Sequence, residues 1–126
     1  MSKKYALYIG RWQNWHKGHE WLINQQLKNG NNVWVAIRDV ETDENNPKTA
    51  QQILKELSYE PFFVNNFDKI LISIIPDIES VNYGRGVGYD VIYHEPPADV
   101  AVISGTAIRT GHMSPDGVMT YDETKG

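Results

Sequence analysis

The chain has 126 residues, 40% of them hydrophobic, with four tryptophans, seven tyrosines and three phenylalanines. That is enough for one compact domain with a real core, residues 1–126, and it argues against long-range disorder. A formal charge of −4 leaves no basic footprint for sequence-independent nucleic-acid binding, and the absence of cysteine removes disulfide frameworks and thiolate metal sites. No apolar run approaches the ~20 residues of a membrane span, and the one near the amino terminus is too short for a signal peptide, so the expectation is a cytoplasmic protein without membrane contact.

Residues 5–9 (YALYI) read as a short buried strand ended by Gly10. A helix is predicted from about Gly18 to Lys28, where Trp21, Leu22, Gln25 and Leu27 mix apolar and polar faces and Asn29-Gly30 is a stop. NVWVAIRD (32–39) is an apolar, β-branched strand, and VETDENNPKT (40–49) is a turn-rich loop. A second helix covers Thr49 to Leu57, with Ile53, Leu54 and Leu57 at helical spacing, and a further helical turn lies within 61–67. KILISIIPDI (69–78) is a strand whose near-continuous apolar character predicts burial on both faces. A glycine-rich loop then leads to a short strand around Tyr89 to Tyr93, and DVAVISGTAIR (99–109) reads as a final strand followed by a helix start at Ser104. Residues 110–126 are expected to be a flexible tail.

Strands alternating with helices predict an α/β fold, a Rossmann-like parallel sheet flanked by helices. In such sheets ligands bind beyond the carboxyl ends of the strands. Three polar clusters follow predicted strand ends, at 10–19, 38–48 and 104–109.

The first cluster, GRWQNWHKGH, sets His16 and His19 three residues apart on one face of a helix start. Gly18 permits close backbone approach, and a helix amino terminus offers N–H groups and a favourable dipole to anions. Arg11 and Lys17 add charge, so the group suits a polyphosphate. Two histidines at a helix start are, by spacing alone, more often capping or surface residues. A zinc site is a weaker alternative, because a third ligand is lacking and Glu20 faces sideways. In the third cluster, Ser104 or Thr106 can cap a helix, Gly105 allows close approach, and Arg109 can contact phosphate bidentately; a plain capped turn explains the same residues. Two such helix starts, each after an apolar strand, resemble a clamp on a triphosphate.

Together GRWQNWHKGH and ISGTAIR resemble the HxGH nucleotidyltransferase superfamily, which includes nicotinamide-mononucleotide, phosphopantetheine and sulfate adenylyltransferases and glycerol-phosphate cytidylyltransferases. The likeness is strongest to small cytidylyltransferase-like proteins with a GRFQP-type start, an RD…NP segment (here 37–47) and a YGRxVGY segment (here 82–89). It spans about residues 5–110. The resemblance implies a Rossmann-like fold and transfer of AMP or CMP from ATP or CTP, with Mg²⁺, to a small phosphorylated acceptor, releasing pyrophosphate. It implies that His16 and His19 contact the triphosphate and stabilise charge at the α-phosphate. Ser104, Thr106 and Arg109, with Gly105 between them, match the residues holding the β- and γ-phosphates, and Gly10, Arg11 and Trp12 border the nucleotide. Asn14 departs from the motif, which has proline there and so a fixed φ.

With a phosphate monoester as acceptor no side-chain base is needed, and positioning plus charge stabilisation by His19 and Lys17 suffice. Arg38 and Asp39 are candidate acceptor or nucleotide contacts, or a strand-end ion pair. Asn82, Tyr83 and Arg85 are candidate ribose or base contacts, or parts of an ordinary glycine-rich turn. Trp12 and Trp15 either stack on a ring of the substrate or, the commoner case, pack against the protein. His94 and His112 have no supporting partners. The alternative to an enzyme is a nucleotide-binding sensor or partner module without catalysis. A homo-oligomer is compatible with the sequence, which marks no interface.

Overall fold

The computed structural model describes residues 3–86 and 88–101. Its elements run β1 (Tyr5–Gly10), α1 (Lys17–Leu27), β2 (Asn32–Asp39), α2 (Ala50–Tyr59), α3 (Pro61–Val64), β3 (Ile70–Pro76) and α4 (Ala98–Ala101). The three strands form an all-parallel sheet in the order β1-β2-β3. The α/β class and the parallel sheet expected from the sequence are therefore present.

Register explains which side chains meet. Ala6 aligns with Val33 and Ile70, and Tyr8 with Val35 and Ile72, so one parity of each strand shares a face. That face packs against Ile23 of α1 and against Ile53 and Leu57 of α2, all within one core cluster. Both helices thus lie on the same side, as two right-handed crossovers running in one direction require. The other parity aligns Leu7, Trp34 and Leu71, and Leu7 and Leu71 remain 47% and 44% exposed. Burial of β3 on both faces, expected from its apolar run, is not found among the described residues, because both helices cover only one face.

Each helix has a local reason to begin and end. Thr49 caps α2 with a capping box: its hydroxyl accepts from the Gln52 backbone N–H at 3.1 Å while the Gln52 side-chain Oε1 accepts from the Thr49 N–H at 2.7 Å. Lys48 adds an ion pair to Glu56 at 2.9 Å. Glu60 turns extended ahead of Pro61, which ends α2 and starts α3. At the end of α1 the chain turns through Gly30 at φ +83°, with Gly30 N–H on the Leu27 carbonyl at 2.9 Å.

Two further sequence expectations fail. Residues 89–93 form no strand. The stretch from Asp99, expected to open a strand, begins inside a helical turn, α4, in which the Val100 N–H bonds the Pro97 carbonyl at 2.9 Å. Pro97 presets φ for that turn and outweighs the β-propensity of valine. The helix start expected at Ser104 and the tail at 110–126 lie outside the described residues.

Candidate site at the start of α1

All three strands end on the same edge, at Gly10, Asp39 and Pro76, and α1 and α2 both start there. The loop between β1 and α1 is unusual. Trp12 and Asn14 have φ of +56° and +53°, left-handed conformations that cost a bulky tryptophan most. What holds them is a set of long-range hydrogen bonds. The Trp12 indole N–H donates to the Ala36 carbonyl at 3.0 Å, in the middle of the sheet. The Gln13 amide donates to the Lys48 carbonyl at 2.8 Å and accepts from the Lys48 N–H at 3.3 Å. Arg11 donates to the Glu41 carbonyl at 3.2 Å. The loop is thus clipped both to β2 and to the segment ahead of α2. Gln13, only 7% exposed, was not singled out by sequence.

Position 14 is where this chain differs from the GRFQP-type pattern, and the backbone shows why the difference matters. A proline ring fixes φ near −65°, so proline cannot occupy the left-handed conformation that Asn14 adopts. Asparagine tolerates it. The loop is therefore built differently from one with proline, not merely freed from its constraint.

His16 caps α1. Its Nδ1 accepts from the Gly18 N–H at 3.0 Å, and its carbonyl accepts from the His19 N–H at 3.0 Å and the Glu20 N–H at 3.2 Å. Hence the Gly18 and His19 N–H groups, expected to be open to an anion, are already engaged. What is left without partners is on the pair of rings. His16 and His19 stack with centroids 3.8 Å apart at 22°. His16 is 5% exposed, and two ring atoms, His16 Nε2 and His19 Nδ1, are buried with no hydrogen-bond partner. Buried polar atoms are seldom left so, and a bound water, ion or ligand is their ordinary partner.

Burial sets the charge state. It pushes the His16 imidazole down to about 4. It also holds His19 well below the ordinary histidine value, with the neighbouring His16 charge acting in the same direction. Aromatic rings complete the surroundings: Trp12 meets His19 edge-on at 5.1 Å, Trp15 lies 5.1 Å from it, and Phe63 lies 4.8 Å from Trp15. Both tryptophans therefore pack within the protein. Gly10 serves the same packing, since a Cβ there would sit 3.0 Å from Trp12 Cε2.

The remaining candidates fall elsewhere. Lys17 has a side chain 67% exposed, with its ammonium 3.7 Å from Glu20, which also accepts from the Trp15 indole at 3.2 Å. Arg38 pairs with Asp77 at 2.7 Å, and Asp39 is exposed. The hydrogen bond from Arg38 holds the Asp77 carboxyl below its usual range, aided by the backbone N–H of Ile78 and the charge of Arg11. Asn82 bonds Ser80 at 2.8 Å, while Tyr83 and Arg85 line a shallow depression of about 760 Å³ formed by residues 83–86 and 88–90. Neither histidine lines it. That hollow is the loop's own curl, and the two histidines sit apart from it. His94, unassigned by sequence, stacks on Tyr8 at 6.2 Å. Ser104, Gly105, Thr106, Arg109 and His112 lie outside the described residues.

Among the described residues no group of three or more His, Cys, Asp or Glu side chains is placed to hold a metal ion. No described helix is long and apolar enough to cross a membrane. No protein-family model, curated protein or solved structure matches this chain.

Proposed function

We propose that the chain is a cytoplasmic nucleotidyltransferase that passes AMP or CMP from an NTP to a small phosphate-bearing acceptor. The observation that carries this reading is the stacked imidazole pair at the start of α1, with its two unpartnered buried nitrogens at the carboxyl edge of a parallel sheet. An oxygen of the acceptor phosphate, already an anion near neutral pH, attacks the α-phosphorus. The bond to the β-phosphate oxygen breaks in line, and pyrophosphate leaves. The imidazoles donate to the phosphate oxygens where charge grows, and the clipped loop fixes their positions beforehand. Lys17, one residue beyond the cap, would have to leave Glu20 to take part.

Magnesium in such a reaction neutralises phosphate charge. Such an ion would enter on the triphosphate, with most of its ligands supplied by phosphate and water. Ser104, Gly105, Thr106 and Arg109 remain the proposed second half of the phosphate clamp, on the strength of the sequence resemblance alone.

The test incubates the protein with Mg²⁺, each of the four NTPs and a panel of phosphate monoesters, and measures pyrophosphate. Release that needs one NTP and one acceptor is the expected result. Tight NTP binding with no turnover across a broad panel would replace the enzyme by a nucleotide-binding sensor.

A further inference from the structure

We infer that the two stacked histidines divide the work: His16 is a neutral donor locked in one tautomer, and His19 is the ring that takes up a proton when a phosphate anion binds. The inference rests on the phosphate-binding reading above and deepens it.

The lock is the helix cap. Nδ1 of His16 accepts the Gly18 N–H at 3.0 Å, so that nitrogen must keep its lone pair. A proton on Nδ1 would set two hydrogens against each other and open the first turn of α1. The ring hydrogen therefore sits on Nε2, which is the buried atom with no partner. His16 thus presents a fixed N–H without an acceptor, in a side chain only 5% exposed. An anionic oxygen satisfies that donor with no change of protonation.

His19 is held differently. No backbone group takes its Nδ1, so nothing fixes its tautomer. Trp15 lies 5.1 Å from it at a 34° tilt, and an indole face at that distance favours a positive neighbour, whereas Trp12 meets it edge-on. Charged groups near it are few. On α1 itself Lys17 and Glu20 face each other at 3.7 Å, and the residues that reach the cluster from the preceding loop and from α3 are Trp12, Trp15, Phe62 and Phe63, all uncharged. Among the described residues His16, when protonated, is the group whose charge acts on His19. Without an anion, burial wins and both rings stay neutral. A bound anion opposes burial with a direct charge attraction, and only His19 is free to respond, drawing one proton from solvent.

The experiment reads both rings directly in the full chain by ¹⁵N NMR between pH 5.5 and 8, with and without saturating inorganic tripolyphosphate. Expected is a His16 with Nε2 protonated and Nδ1 unprotonated throughout. Expected too is a His19 that is neutral alone and titrates at least one pH unit higher with tripolyphosphate. A proton on His16 Nδ1 in either state overturns the inference while leaving phosphate binding intact. So does a His19 that stays neutral over the whole range in the complex. No response of either ring to tripolyphosphate overturns the inference together with the phosphate-binding reading beneath it.

Discussion

The starts of α1 and α2 lie on the same edge of the sheet and are capped in opposite ways. At α2, Thr49 and Gln52 satisfy each other reciprocally, and the cap is complete within the protein. At α1, His16 uses one ring nitrogen for the cap and leaves the other buried without a partner, beside a second imidazole in the same condition. A closed cap maximises local stability. An open one gives up stability, as the proposed function requires of an end that binds a ligand. Gln13 joins the two, bonding the backbone of Lys48 immediately before the α2 cap.

The largest break in this comparison is expected from Asn14→Pro. Proline cannot take φ +53°, so the loop must rearrange, with a loss on the order of 3 kcal/mol by urea unfolding and loss of tripolyphosphate binding. Unchanged stability would mean that the left-handed turn is not what holds the α1 start.

The next effect is that of pH. His16 is pushed from the ordinary 6.5 to about 4 in the folded chain, so between those values the unfolded chain binds more protons. Stability from this group is complete above about pH 6.5 and is lost as pH falls toward 4, and His19 adds to the loss in the same direction. Urea midpoints measured from pH 7 down to 4 should fall, and less so in His19→Phe. A midpoint that is flat over that window contradicts the burial of the pair.

Smaller still, and opposite in sign between the two caps, are single substitutions. Thr49→Ala should cost about 1 kcal/mol, as loss of a satisfied cap does. His19→Phe, which removes an unpartnered buried nitrogen from an aromatic cluster, should leave stability unchanged or raise it by up to about 1 kcal/mol. Equal losses at both positions would erase the distinction between closed and open ends. Arg38→Ala, which breaks a surface pair with Asp77, should cost under about 1 kcal/mol and serves as the reference for an incidental contact.

Much of the fold was legible because β1, α1, β2, α2 and β3 each carry strong local signals: apolar and β-branched runs, an Asn-Gly stop, and Ile53, Leu54 and Leu57 at helical spacing. Residues 89–93 and the stretch from Asp99 misled because short apolar runs carry no period, and only the prolines ahead of Ala98 hinted at a turn. At the site, the spacing of His16 and His19 showed that they share a face, and even the humbler reading of a capping histidine proved informative, since His16 is the cap. The packing of Trp12 and Trp15 matches the commoner expectation for such residues. What no local pattern contained is the clip from Gln13 to Lys48, a contact across 35 residues, and the unpartnered state of the ring nitrogens. Those depend on tertiary packing alone.

The most direct test is a calorimetric titration of inorganic tripolyphosphate into the wild-type chain, Thr49→Ala and His19→Phe at pH 7. Binding by the wild type and Thr49→Ala, with at least a tenfold weaker interaction in a folded His19→Phe, is the result expected of an anion site at the start of α1. Equal affinity in all three proteins would contradict it.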